Sequence, residues 1–382
     1  MYSRIRWVAA CAALSCAFTH AHPEAITRIW LTHGRSDAAT LMINWETDTP
    51  GPSRVDYGAT EALGSSATSD EAATLHHVEV PFPETGALHY RVSTGGRRSA
   101  VNAVKSYSGE TLRIAAAANW QERPDLAAIS ADDPHLLVSC GDLFSSRETM
   151  ERPGDAMNTT PFSRLIDAYP ALFARTPFMP ALGNHDRQLF VRFGQPPAAP
   201  IYDLDATAFR RFFPLPEPGW NWRFDLPAYD LRLIALDLSH TADAGTTWQS
   251  CRDFGTDSEQ FEWYRETIAA SGQRHVITLY NEWHHLVDKL ADGAWMPLIR
   301  QGSAALSGFG LFAEQADYGG LPCFNTSLKA GEIFGSGART RFYEKSPGYL
   351  LLTFPESGGP MIAEFKGLDG RVMNRTEWPG RG

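Results

Sequence analysis

Gly183-Asn184-His185-Asp186 follows the apolar run at 177–182. Upstream, Gly141-Asp142 follows Leu136-Leu137-Val138-Ser139-Cys140. Each segment reads as a short buried strand that stops abruptly at a glycine and then presents polar side chains. Working outward, strand and helix patterns alternate. Residues 112–117 read as a strand, 124–129 as a helix and 135–139 as a strand. Residues 162–173 read as a helix, with Phe162, Leu165, Ile166 and Leu172 at helical intervals. Further on come a strand at 231–238, an amphipathic helix at 259–270, a strand at 275–280, a helical turn at 296–299 and the apolar 304–306. Such alternation predicts an α/β core, whose ligands collect at the carboxyl ends of strands. The polar residues after each strand are therefore the site candidates. Pro-rich 195–200 and 213–220 read as surface loops.

The chain before this core has a different texture. Short alternating or apolar segments at 26–31, 40–45, 53–57, 76–80 and 88–93, separated by Gly, Pro and Asp, predict a β-sandwich over 23–108. Residues 1–22 read as a secretory leader: Arg4 and Arg6, an apolar stretch at 7–18, and a small-residue cleavage site at Thr19-His20-Ala21. The stretch is too short to span a bilayer, so export without a transmembrane anchor is expected. Ala13-Leu14-Ser15-Cys16 offers a lipid-anchored Cys16 as a second reading, ranked lower because the residue three before the cysteine fits poorly. The α/β part then runs over 109–382. With 382 residues the chain is long enough for two domains. A net charge of −10 and no basic run disfavour a nucleic-acid backbone, so no nucleic-acid partner is expected. Beyond the leader, Cys140, Cys251 and Cys323 permit one disulfide at most; Cys140 suits a buried filler, and a Cys251–Cys323 bridge stays open.

The order and gaps of Gly141-Asp142, Gly183-Asn184-His185-Asp186, Asn281-Glu282-Trp283-His284-His285 and Ser307-Gly308-Phe309-Gly310-Leu311 resemble the calcineurin-like metallophosphoesterases, in their purple-acid-phosphatase-like branch. Trp45 and Tyr90, the latter in Leu88-His89-Tyr90-Arg91-Val92, resemble the fibronectin-type-III-like module that precedes the catalytic domain there. Residues 209–216, 234–238 and Trp263 fall where the family's usual elements would. The resemblance implies a two-sheet α/β sandwich with helices outside. It also implies a site where two metal ions share a bridging carboxylate, metal-bound hydroxide attacks phosphorus, and a histidine assists the leaving group.

Position by position, the donors differ from that pattern. The first motif aligns with Asn119-Trp120-Gln121, an amide in place of a carboxylate. Asp142 supplies the bridging carboxylate, and Ser145 stands where purple acid phosphatases place a ligating tyrosine. Asn184 and His185 match the third motif. Asn281 occupies the place of a ligating histidine, and Phe309 and Leu311 the places of two more. Only Asp142 and Asn184 match as ligands. Amides bind transition metals weakly, so no tightly bound cofactor is expected, and at most one weakly held hard cation such as calcium.

The replacements suit a different ligand. Amides with indole faces suit hydroxyl-rich sugars, and amides also neutralise a uronate carboxylate while a histidine or tyrosine takes the adjacent proton. On this reading His185, His284 and Tyr280 exchange protons, and Asn119, Trp120, Gln121, Arg147, Asn184, Asn281, Trp283 and His285 hold substrate, with Arg187 near an anionic group. The bland reading stands beside it: Trp120 and Trp283 as packing, Arg147 and Arg187 in ion pairs, His76, His77 and His240 as structural or loop residues. Three functions remain open: a phosphoesterase on small phosphoesters, a metal-independent lyase or hydrolase on an extracellular polysaccharide, and a glycan-binding protein without chemistry.

Overall fold

The structure, a computed structural model, describes residues 25–190, 200–331, 337–356 and 358–381. The expected leader at 1–22 with Cys16, and most of the Pro-rich 195–200 segment, lie outside these residues. Two sheets form the α/β part. One orders its strands as Trp222–Leu226, Leu231–Ala235, His275–Tyr280, Ala304–Ser307, Pro322–Asn325, Ala313–Asp317 and Thr340–Glu344. The other runs Val372–Trp378, Met361–Gly367, Gly348–Pro355, Thr111–Ala117, Leu136–Ser139 and Phe178–Pro180. In the first sheet Leu231–Ala235, His275–Tyr280, Ala304–Ser307 and Pro322–Asn325 run parallel, and in the second Thr111–Ala117, Leu136–Ser139 and Phe178–Pro180 do so on one side of an antiparallel pairing with Gly348–Pro355. Strands such as Leu136–Ser139, His275–Tyr280 and Ala304–Ser307 are buried throughout, which is why they read as mainly apolar runs rather than alternating ones.

Parallel register sets the strand ends side by side. Tyr280 pairs with Ser307 and Ser307 with Asn325 in one sheet; Ala117 pairs with Ser139 and Ser139 with Pro180 in the other. The chain leaving those ends supplies residues 118–121, 140–145, 181–187, 281–285 and 308–311, so segments far apart in sequence meet at one edge. One apolar cluster fills the space between the sheets and continues into the N-terminal part; a second covers the outer face of the larger sheet beneath the helices Glu259–Ala269 and Trp295–Ile299. Ser258 caps the first of these helices by accepting the Phe261 amide at 3.2 Å.

The N-terminal β-sandwich is built on two long strands, Thr40–Gly58 and Ser65–Pro81. The expected break near 46–52 is instead a bulge. Register shifts on either side of Gly51, and the two halves of Thr40–Gly58 then take different partners, Ile29–Thr32 first and Ala87–Thr94 second. Pro50 and Pro52 are tolerated there because a bulge leaves their missing N–H unused. Trp30 locks the sandwich to the core: it stacks on Phe212 at 4.0 Å and donates its indole N–H to the Phe212 carbonyl at 3.1 Å. Tyr90 adds a bond to the Ala174 carbonyl at 2.6 Å.

Other expectations change in detail. The helix at 162–173 divides into Thr160–Ala168 and Pro170–Phe173, because Pro170 supplies no N–H to continue the first and suits the first turn of the second. Residues 213–220 are not a surface loop: Phe213, Leu215 and Trp220 are buried, with Phe213 against Phe162 and Phe178. Cys140, Cys251 and Cys323 are separate buried thiols, so the Cys251–Cys323 bridge does not form. No described helix is long and apolar enough to cross a membrane.

Candidate active site

Glycines let the converging loops touch backbone to backbone. Gly141 and Asp142 both have positive φ, 91° and 61°, and a side chain at Gly141 would begin 2.7 Å from the Gly183 nitrogen. Asp186 clasps the two motifs together. Its Oδ2 accepts the amides of Asp142 at 2.9 Å and Gly183 at 2.8 Å, and its Oδ1 accepts that of Leu143 at 2.6 Å. Below them Arg187 is fully buried and paired with Asp237 at 2.5 Å, so it does not reach a substrate as the sequence reading had it. Glu282 ties the neighbouring loops by accepting from Thr241 N at 2.6 Å and Trp283 N at 2.8 Å.

The amides brace this assembly. Asn119, with φ 58°, donates Nδ2 to the carbonyls of Gly308 and Gly310, both at 2.9 Å. Gln121 reaches the Asn119 carbonyl oxygen at 3.5 Å. Asn281 is buried and donates Nδ2 to Cys140 O at 2.7 Å. The donor ends of Asn119 and Asn281 thus face carbonyl oxygens of opposing loops. Phe309 lies 5.9 Å from His240, ring to ring, and Leu311 packs against Gly331. Trp120 is no sugar platform: it is wholly buried among Tyr169, Phe173 and Phe178, with its indole N–H on Ser139 Oγ at 3.0 Å.

What remains around Asp142 is a compact polar group. Asp142 is 8% exposed and accepts the His185 amide at 3.4 Å. Burial pushes its carboxyl up to about 7, against a lowering pull from His240. Burial raises Asp186 as well, but three amide donors favour its ionised form, so the proton this pair takes up resides on Asp142. His185 Nδ1 meets Ser146 Oγ at 2.9 Å, and burial lowers its pKa, keeping the ring neutral. The Asn184 side chain hydrogen-bonds Tyr202, whose phenol is nonetheless raised by burial and by the Asp142 carboxyl. The Asn184 carbonyl oxygen is buried without a partner among the described residues. Arg147 is exposed on the adjoining helix Ser146–Thr149.

Sequence reasoning missed Tyr202 and His240. His240 follows the strand Leu231–Ala235 by a few residues, and the strand-end rule applied there would have flagged it. Tyr202 follows the Pro-rich segment and carries no comparable signal. In turn, Tyr280 and His284 leave the site. Tyr280 belongs to the outer cluster with Ile234 and Val276, while Ile277 and Leu279 face the inner core. Side chains alternate along a strand, so Tyr280 points away from the cleft. Its hydroxyl meets His284 Nδ1 at 2.7 Å, both groups fully buried, and burial lowers His284 to about 3. Trp283 and His285, their rings 5.0 Å apart, line a separate hollow with Glu314 and Tyr318.

Among the described residues, no group of three or more His, Cys, Asp and Glu side chains is placed to hold a metal ion. Residues 109–306 match the family model for calcineurin-like phosphoesterases. The chain belongs to that family. Solved structures share its fold. A purple acid phosphatase from yellow lupin (Lupinus luteus) seeds is similar at TM-score 0.68 and 14% identity, over 94% of this chain and 75% of that one. PhoD is similar at 0.64 and 12%, over 92% and 89%. GAP50, the anchor in the inner membrane complex of Plasmodium, is similar at 0.51 and 14%, over 72% and 90%. At these identities the likeness is one of fold. No curated protein matches the chain.

Proposed function

We propose that this chain keeps the family's architecture without its two-metal chemistry. On this reading the cleft at Asp142 moves protons between side chains on an extracellular polysaccharide that carries uronic acids. The observation that supports this most is the use made of the amides. At two positions where the family resemblance calls for a carboxylate and an imidazole, Asn119 and Asn281 direct their N–H donors at Gly308, Gly310 and Cys140 carbonyls. A neutral amide binds a cation only through its oxygen and far more weakly than a carboxylate or an imidazole, and one buried carboxylate cannot balance two cations. The residues present therefore do not fit the family's dinuclear group.

The same cleft holds the parts of a β-elimination. Asn184, and Asp142 in its protonated form, would hydrogen-bond the uronate carboxylate and make the adjacent carbon acid. Neutral His185 would take the C5 proton; the electron pair forms the C4–C5 double bond and the C4–oxygen bond breaks. Tyr202, which burial keeps protonated, would give its proton to the leaving oxygen. Family membership favours the alternative of a small phosphoester, with His185 protonating the leaving oxygen.

Purified protein separates the two. Expected are a metal content well below one ion per chain, double-bond absorbance growing on a uronate polymer with chelator present, and loss of that signal in His185→Ala. Two iron, zinc or manganese ions per chain, with chelator-sensitive release of nitrophenol from nitrophenyl phosphate, would overturn the proposal in favour of the phosphoesterase.

A further inference from the structure

The exposed apolar side chains are unevenly placed. Among the described residues, the large hydrophobics that stand well out of the surface are Val101, Met150, Met157, Trp248 and Val372, and Trp248 is the most exposed of them at 58%. Met150, Met157 and Trp248 lie on two loops that flank the Asp142 cleft, and backbone bonds chain those loops together. Gly154 N donates to Leu189 O at 2.8 Å, Phe190 N to Ile201 O at 2.7 Å, and Ile201 N to Thr247 O at 2.9 Å. Ile201 precedes the site residue Tyr202, and Thr247 precedes Trp248. The Trp248 loop begins at His240, which lies near enough to Asp142 to act on its carboxyl.

This loop holds its tryptophan firmly. Trp248 N donates to Thr246 Oγ1 at 3.1 Å, and Thr246 Oγ1 donates to Asp243 O at 2.7 Å. Gly245 N donates to Gln249 Oε1 at 2.9 Å, while Gln249 Nε2 donates to Cys251 O at 3.0 Å. A large indole left in water on a braced loop is costly unless something covers it. Its chain neighbours Thr246, Thr247 and Gln249 are polar, so the ring stands on a stretch that brings no further hydrocarbon of its own. A protein or lipid partner would call for a contiguous apolar patch. A pyranose ring, apolar on its C–H face and polar at its edge, matches what is there.

We infer that Trp248 is a stacking platform for a sugar ring of a polymer entering the Asp142 cleft, so that it sets the chain length recognised. This rests on the uronate-polysaccharide reading above. The platform acts on rings beyond the reacting one, so its removal penalises long oligomers and spares short ones.

The test uses oligogalacturonate and oligomannuronate ladders from dimer to hexamer, with binding read by calorimetry and turnover by double-bond absorbance. In Trp248→Ala the hexamer is expected to bind about tenfold more weakly, with KM raised and kcat kept, while the dimer is unchanged. Trp248→Phe should restore most of the loss. His185→Ala should abolish turnover yet bind the hexamer as the parent does. Hexamer binding that is equal in the parent and Trp248→Ala sinks the platform and leaves the cleft reading intact. A parent chain that binds no oligomer sinks both.

Discussion

Asn281 shows how much one side chain can carry here. Its Nδ2 is the donor that satisfies the buried Cys140 carbonyl at 2.7 Å, and its carbon atoms pack against Gly183. Asn281→Ala removes the donor and leaves that carbonyl unpaired in a dry interior, at a cost of about 1–3 kcal/mol. The urea midpoint should fall accordingly with the far-ultraviolet spectrum unchanged. Asn281→Asp should cost more, since it sets a carboxylate against the Cys140 oxygen and close to Asp142. If both variants keep the parent midpoint, Asn281 is not a brace. The Arg187–Asp237 pair makes a second residue-level case, with both side chains wholly out of water. Arg187→Met strands the Asp237 charge with the Arg252 amide as its remaining donor at 3.0 Å, an expected loss of about 3–5 kcal/mol. Changing both, to Arg187→Met with Asp237→Leu, should lose less than the single change. A double variant no better than the single would show that geometry, not stranded charge, sets the cost.

At the scale of elements the site depends on loops that nearly interpenetrate. A Cβ on Gly308 would overlap both the Ala118 side chain and the Cys140 carbonyl, neither of which can swing aside. Gly308→Ala is therefore expected to cost about 1–3 kcal/mol by forcing the strand ends apart, whereas Gly64→Ala, with open space around it, should be near neutral. Equal unfolding midpoints for the two would refute the close approach. The same contrast explains what could be read beforehand. The strands Leu136–Ser139 and His275–Tyr280 announce themselves because burial on both faces demands a mainly apolar run. Asp142, Asn184 and His185 were legible because each follows such a run. The length of Thr40–Gly58 was not, since Thr49-Pro50-Gly51-Pro52 looks like a turn and only pairing with two partners keeps it extended. Nor was the parity of Tyr280: one residue of register separates the cleft from the outer face. Tyr202 arrives through backbone pairing of Leu189 with Tyr202, a long-range contact that no local pattern encodes.

Over the whole molecule, the junction of sandwich and α/β part is closed by a histidine that cannot afford a charge. His33 is fully buried, stacked on Phe224 of the larger sheet at 4.6 Å and flanked by Phe82 and Tyr107. Its Nδ1 faces the Thr40 carbonyl at 2.8 Å and so carries the hydrogen, leaving Nε2 to accept from the Tyr107 hydroxyl at 2.7 Å. Burial lowers its pKa from 6.5 to about 4. Between those values the unfolded chain binds a proton that the folded chain refuses, so stability must rise with pH across that window. Conversely, acidification from pH 6.5 toward 4 should remove about 3 kcal/mol through this residue, with no further loss through it below 4. His76, His77 and His135 are lowered to about 4 as well and act in the same direction. Urea unfolding at pH 7.5 and pH 5 should thus show a steep drop in the parent. His33→Gln keeps a donor for Thr40 and an acceptor for Tyr107 without a titrating group, so its drop should be shallower by about 2 kcal/mol. An identical pH slope in the two proteins would mean that the junction admits the charged ring.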